Sequence, residues 1–253
     1  MAAVADVERS SPPPDASSGV DLREWTVIKS LTANLGAQLP HATVLLLKSV
    51  AEPGRKGGVA PIPCVNLIVV AGERILYHYV PLAVPAPDDE RPDSIFYWSD
   101  ELELRDVTGD GVPEIVFDSQ IQQGMSSMSI DIHVLQYQPA KSGPGTFRDI
   151  RRSNFVASEW IAFNWLDFKG QTLAILADPV DAPVPPGVDE DTALDMHCHE
   201  CARLRRYLVY QWDSKPRRFI LRRIIPPSGA LHSIDGGWWE DGYIVKNLKR
   251  HPL

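Results

Sequence analysis

Residues 102–117 read Leu102-Glu-Leu-Arg-Asp106-Val-Thr-Gly-Asp110-Gly-Val-Pro-Glu114-Ile-Val-Phe117. Both ends are strand-like. Leu102-Glu-Leu-Arg105 alternates apolar and polar residues, and Glu114-Ile-Val-Phe117 is rich in β-branched and aromatic side chains. Between them, oxygen-bearing side chains fall at loop positions 1, 3, 5 and 9 (Asp106, Thr108, Asp110 and Glu114), with a glycine at position 6 and the Val112 carbonyl available at position 7. That spacing wraps a short loop around a hard cation, and calcium takes six to eight oxygen ligands at about 2.3–2.6 Å. An EF-hand needs a bidentate Glu at position 12 and helices on both sides. Position 12 is Phe117 here, and Pro113 stands where the second helix would start. The segment therefore reads as strand, calcium loop, strand. Asp, Gly and Pro also build turns without any metal, so a solvated acidic hairpin is the plain alternative.

The run Asp106-Val-Thr-Gly-Asp-Gly-Val-Pro-Glu-Ile-Val-Phe117 resembles the FG-GAP or VCBS-type repeat, the calcium-loop hairpin of integrin-like β-propellers and many bacterial surface proteins. The resemblance covers about a dozen of the 253 residues. It implies that Asp106, Asp110 and Glu114 are carboxylate ligands of Ca²⁺. Thr108 occupies a place more often held by Asp or Asn, and would bind through its hydroxyl or through water. A propeller needs several such repeats, and the chain carries one good copy.

The rest of the chain is punctuated by 22 prolines and 17 glycines, a pattern that suits turn-rich β structure better than long helices. Cys64–Val70 and Arg74–Val80 flank Ala71-Gly-Glu73 as a hairpin. Ser129–Tyr137 alternates strictly and pairs with a strand near Phe147. Trp160–Asp167, a Lys169-Gly170 turn and Thr172–Ala177 form another hairpin, and Leu204–Trp212 with Arg218–Ile224 a further one. Asp21 is placed to cap a helix carrying Leu22, Trp25, Ile28, Leu31 and Leu35 on one face and ending near Gly36. The expected architecture is thus a mainly β fold of antiparallel hairpins, sandwich or propeller-like, with one N-terminal helix. Residues 1–20 form a disordered tail or linker, and 21–253 a single β-rich domain with the calcium-loop hairpin at about 95–120.

Other clusters carry less. His197-Cys-His-Glu-Cys201 offers soft ligands, but structural zinc wants four, usually from two segments, and no second pair is present. A Cys198–Cys201 disulfide, two free thiols, or a second metal held with His197 and His199 all stay open. Cys64 leaves the cysteine count odd. Asp235-Gly-Gly-Trp-Trp-Glu-Asp-Gly-Tyr243 could stack on a sugar or a peptide through Trp238 and Trp239, although large aromatics are more often core. Gly124-Met-Ser-Ser-Met128 lacks the closing glycine of a nucleophile elbow, and His-Glu-x-x-His and Gly-x-Gly-x-x-Gly are absent.

A net charge of −8 argues against nonspecific binding to nucleic acid. No run of 18 apolar residues suggests a transmembrane helix. The first residues lack the basic and apolar regions of a secretory signal, which fits a cytoplasmic protein if the chain is the full translated product. The Pro/Ser-rich stretch 9–19, of the kind that tethers exported domains, leans instead toward the cell envelope. The function expected is a noncatalytic calcium-binding β-domain, a binding or structural module of the bacterial envelope with protein or glycan as partner. The alternative is a hydrolase-like enzyme with a structural Ca²⁺ and an active site elsewhere.

Overall fold

The computed structural model describes residues 25–49, 65–79, 96–98, 101–123, 127–143, 145–151, 156–158, 162–180, 204–229 and 239–253. The expected tail at 1–20, Cys64, the 197–201 cluster, Trp238 and most of Gly124–Met128 lie outside them.

Fourteen strands and one helix are described. β1 (Trp25–Ala33), β2 (Ala42–Ser49), β3 (Val65–Ala71) and β4 (Arg74–Tyr79) form a four-stranded antiparallel meander in chain order. The second sheet is built on β7 (Glu114–Gln123) and β8 (Ser127–Gln138), which pair from Ile115↔Leu135 to Gln123↔Ser127. The free edge of β7 is shared by β5 (Phe96–Trp98) and β6 (Leu102–Arg105), and that of β8 by β9 (Thr146–Asp149) and β10 (Val156–Ser158). Six strands thus make a sheet only four positions wide. β11 (Ala162–Phe168), β12 (Gln171–Val180), β13 (Leu204–Asp213) and β14 (Arg218–Ile225) form the third meander. The hairpins expected around 71–73, 169–170 and 213–218 and the pairing of Ser129–Tyr137 with a strand near Phe147 are all present, the last with Tyr137 opposite Phe147.

The three sheets stack in chain order, because strands alternate their side chains between faces. Val44, Leu46, Leu67 and Val69 of the first sheet meet Leu102, Ile115, Phe117 and Leu135 of the second. From the opposite face of that second sheet, Val116, Ile132 and Val134 meet Ala174, Leu176, Tyr210 and Phe219 of the third. The outer face of the third sheet (Leu173, Ile175, Tyr207 and Val209) is covered by Ile244 and Leu248 of helix α1 (Asp241–Arg250). A sheet buried on both faces explains why Ile115-Val-Phe117 is an unbroken apolar run. The sheets do not close into a barrel.

The helix expected over 21–36 is corrected: residues 25–33 are strand β1, paired with β2 from Trp25↔Ser49 to Ala33↔Ala42. A register irregularity between Val27 and Lys29 shifts the phase of the apolar residues along the strand. That shift imitates helical spacing in a sequence whose Thr26, Val27, Ile28 and Thr32 favour a strand. Ile28, assigned to the buried helix face, is 43% exposed, whereas Leu31, Ala33 and Leu35 turn toward the core at every second position. The described helix lies at the other end of the chain. Its two buried residues are one turn apart, Asp241 lies in the first turn, and Lys249 and Arg250 lie in the last, as the helix dipole favours.

Truncating Leu248, which is fully buried under the third sheet, should cost about 3 kcal/mol by urea denaturation. Leu221→Ala, on the exposed side of β14, should stay within about 0.5 kcal/mol of wild type.

Candidate functional site

The loop between β6 and β7 winds around its own first carboxylate. Asp106 Oδ1 accepts hydrogen bonds from the amides of Gly109 (2.7 Å) and Asp110 (3.2 Å), and Oδ2 from that of Gly111 (2.9 Å). Gly109 (φ 74°) and Gly111 (φ 84°) adopt the left-handed backbone that lets three successive amides point inward. Asp110 Oδ1 accepts from the Val112 amide at 2.9 Å. Glu114, the first residue of β7, is 2% exposed. Its Oε2 accepts from the Val107 amide (3.0 Å), and its Oε1 from Thr108 Oγ1 (3.0 Å) and Gln136 Nε2 (3.1 Å).

Two further contacts fix the loop against the third sheet. Thr172 Oγ1 donates to the Asp106 carbonyl at 3.1 Å, and Arg105, paired with Glu103, reaches Asp167 at 3.1 Å. On its other side the loop borders a cleft of about 390 Å³, lined by Gly36, Gln38, Asp110, Val112, Glu114 and Gln136 among others. Burial pushes the Glu114 carboxyl up to about 6. The three hydrogen bonds it accepts pull it back, and the nearby Asp110 adds to the rise. Among the described residues no Lys or Arg pairs with Asp106, Asp110 or Glu114.

The sequence leads one to expect three carboxylates, a hydroxyl and a carbonyl around one loop. Among the described residues no three His, Cys, Asp or Glu side chains gather closely enough to hold a metal ion. Asp106 faces the loop amides, and Glu114 is turned to Val107, Thr108 and Gln136. The donor set is nevertheless all oxygen, the kind a hard cation takes. Each carboxylate has about four lone-pair sites, so Asp106 and Glu114 keep one apiece and Asp110 more. Trp239, a candidate ligand platform, is partly buried and packs on the third core with its ring 6.3 Å from that of Tyr207.

Sequence reasoning missed a second polar constellation, between the first and second sheets. Tyr79 Oη donates to Ser119 Oγ (3.4 Å), Ser119 Oγ lies 2.9 Å from His133 Nε2, and His133 Nδ1 lies 2.9 Å from Asp149 Oδ2. Asp149 also accepts from the Val134 and Arg151 amides through Oδ1 and pairs with Arg151 Nε, while a second Arg151 nitrogen reaches Asp131. Phe117 stacks on the His133 ring at 4.5 Å and 10°, with Tyr79 tilted against the ring at 4.7 Å. Burial raises the Tyr79 hydroxyl above its usual range, which keeps it a donor. These residues are 14 and 16 positions apart in sequence. Only the register that sets Phe117 opposite His133 and Ser119 opposite Asp131 brings them together.

Comparison with protein-family models, with curated proteins and with solved structures finds no match to this chain.

The raised Glu114 carboxyl predicts the pH response of the metal-free protein. A group whose folded pKa (about 6) exceeds its ordinary 4.5 adds stability below pH 4.5 and loses it as pH rises through 6. The span is on the order of 2 kcal/mol. Chemical denaturation in EDTA from pH 4 to 7 should show that loss in wild type. Glu114→Gln should be flatter, since Thr108 and Gln136 can reverse their roles to meet an amide.

Proposed function

We propose that this chain is a calcium-binding β-module of the FG-GAP/VCBS type, serving as a binding or structural element with a protein or glycan partner, in the bacterial cell envelope. The observation that carries the reading is the winding of the loop amides of 109–111 onto Asp106. It leaves the oxygens of Asp110, the Val112 carbonyl and the carboxylate of Glu114 as the remaining donors along one short loop. No described basic side chain neutralises those acids, and the Glu114 carboxyl is raised by its burial first and by the nearby Asp110 second. A divalent cation held by Asp106, Thr108, Asp110, Val112 and Glu114 would offset the charge of those acids and lock the second sheet's loop against the third. Its role on this reading is structural. The cleft beside the loop is the surface it would shape. Nucleic acid is not the partner proposed, given the net charge of −8. Among the described residues no helix is long and apolar enough to cross a membrane.

A second reading, an enzyme in which the ion is purely structural, draws on the contacts of Ser119, His133 and Asp149.

Calorimetric titration with Ca²⁺, paired with thermal melts in EDTA and in millimolar Ca²⁺, tests the first reading. Wild type should take up one ion and gain about 2.7 kcal/mol when free Ca²⁺ is about 100 times Kd. Asp110→Ala should lose both responses. An absence of heat and of any shift in Tm in wild type overturns the proposal.

A further inference from the structure

We propose that Ser119, His133 and Asp149 form a nucleophilic triad acting on short-chain carboxylic esters, with Tyr79 as the donor to the developing oxyanion. The inference rests on the second reading above and is independent of the calcium loop.

The contacts fit one chemical state of the chain. The Tyr79 hydroxyl donates to Ser119 Oγ, so the serine proton is free to point at His133 Nε2. On this proposal Nε2 is the unprotonated nitrogen that accepts the serine proton, and Nδ1 carries the hydrogen directed at Asp149 Oδ2. Asp149 is held as an acceptor by two backbone amides and by Arg151. This is the tautomer a general base needs, with the carboxylate orienting the ring and stabilising its cationic form. The imidazole is also held in plane by Phe117 and Tyr79, and all three groups sit on the strands of one rigid sheet.

A purely structural reading fits these facts less well. The surrounding core is built from aliphatic and aromatic side chains, and apolar residues of similar volume at 119 and 133 would satisfy it without desolvating polar groups. Ser119 is 6% exposed and His133 2%, so the proposed substrate is one that presents only a small acyl group to the hydroxyl.

In the reaction, Ser119 Oγ bonds to the ester carbonyl carbon while its proton passes to His133 Nε2. The carbonyl electron pair moves onto oxygen, where the Tyr79 hydroxyl donates. Collapse of the adduct breaks the bond to the alcohol oxygen, and the alcohol departs with the proton from His133. Water then adds to the acyl-serine, again giving a proton to Nε2. Breakdown of the second adduct returns that proton to Oγ and releases the acid. The sum is ester plus water to acid plus alcohol.

The test is labelling of the full chain with a small fluorophosphonate, the adduct located by peptide mass spectrometry, alongside hydrolysis of p-nitrophenyl acetate and octanoate. Expected are a single adduct on Ser119 and acetate turnover well above that of octanoate. Ser119→Ala should abolish adduct and turnover, and Asp149→Asn should slow labelling by at least about 10²-fold, on the scale of a lost orienting carboxylate. Folded wild type that gives no adduct at Ser119, under conditions that label a serine-protease control, overturns the proposal whatever the variants do. Labelling of Asp110→Ala in EDTA at the wild-type rate would separate this site from the calcium reading, so that either can fail alone.

Discussion

The pairing of β7 with β8 is the interaction on which the remainder of the molecule depends. Nine consecutive residue pairs lock Ile115–Gln123 to Ser127–Leu135. Because side chains alternate, that single register sends Ile115, Phe117 and Leu135 into one core and Val116, Ile132 and Val134 into the next. Slipping it by one residue would turn both apolar sets onto the wrong faces and detach the flanking sheets together. The same register sets His133 opposite Phe117 and next to Ser119, and brings Gln136 within reach of Glu114. Both polar centres are therefore by-products of the pairing that makes the core.

The two centres spend desolvation free energy in different ways. At the loop, a buried carboxylate is met by three donors, yet its pKa still rises, so hydrogen bonding does not compensate fully for burial beside another acid. Between the sheets, the histidine is met on both ring nitrogens and its aspartate is met by amides and by a guanidinium. The first arrangement favours the arrival of positive charge. The second is met by partners within the protein on every side.

Much of the architecture was legible because short-range chemistry and long-range packing agree over most of the chain. Strict alternation in Ser129–Tyr137, the two-residue turn at Lys169-Gly170 and the turn at Gly72-Glu73 each specify a hairpin locally, and each is found. The exceptions are informative. Residues 25–33 carry helical spacing produced by a strand irregularity, and pairing with the apolar β2 decides between the two periods. In the C-terminal stretch, aromatics and glycines drew attention to a surface for stacking. There, Tyr243, Ile244 and Leu248 also close the third core, tied by Tyr207 to Glu240 and by Tyr243 to the Pro226 carbonyl.

By itself, the sequence determined the hairpins, the strand–loop–strand character of 102–117 and the oxygen-only donor set of the loop, because turn chemistry and alternation act over a few residues. Tertiary structure alone decided that the sheets stack in chain order and that the described helix caps the last of them. It also decided that Glu114 is buried, and that Ser119, His133 and Asp149 touch. Those outcomes depend on which faces are buried against which and on cross-strand register. Register is settled by the sum of contacts over whole sheets, so no local run of residues can announce it.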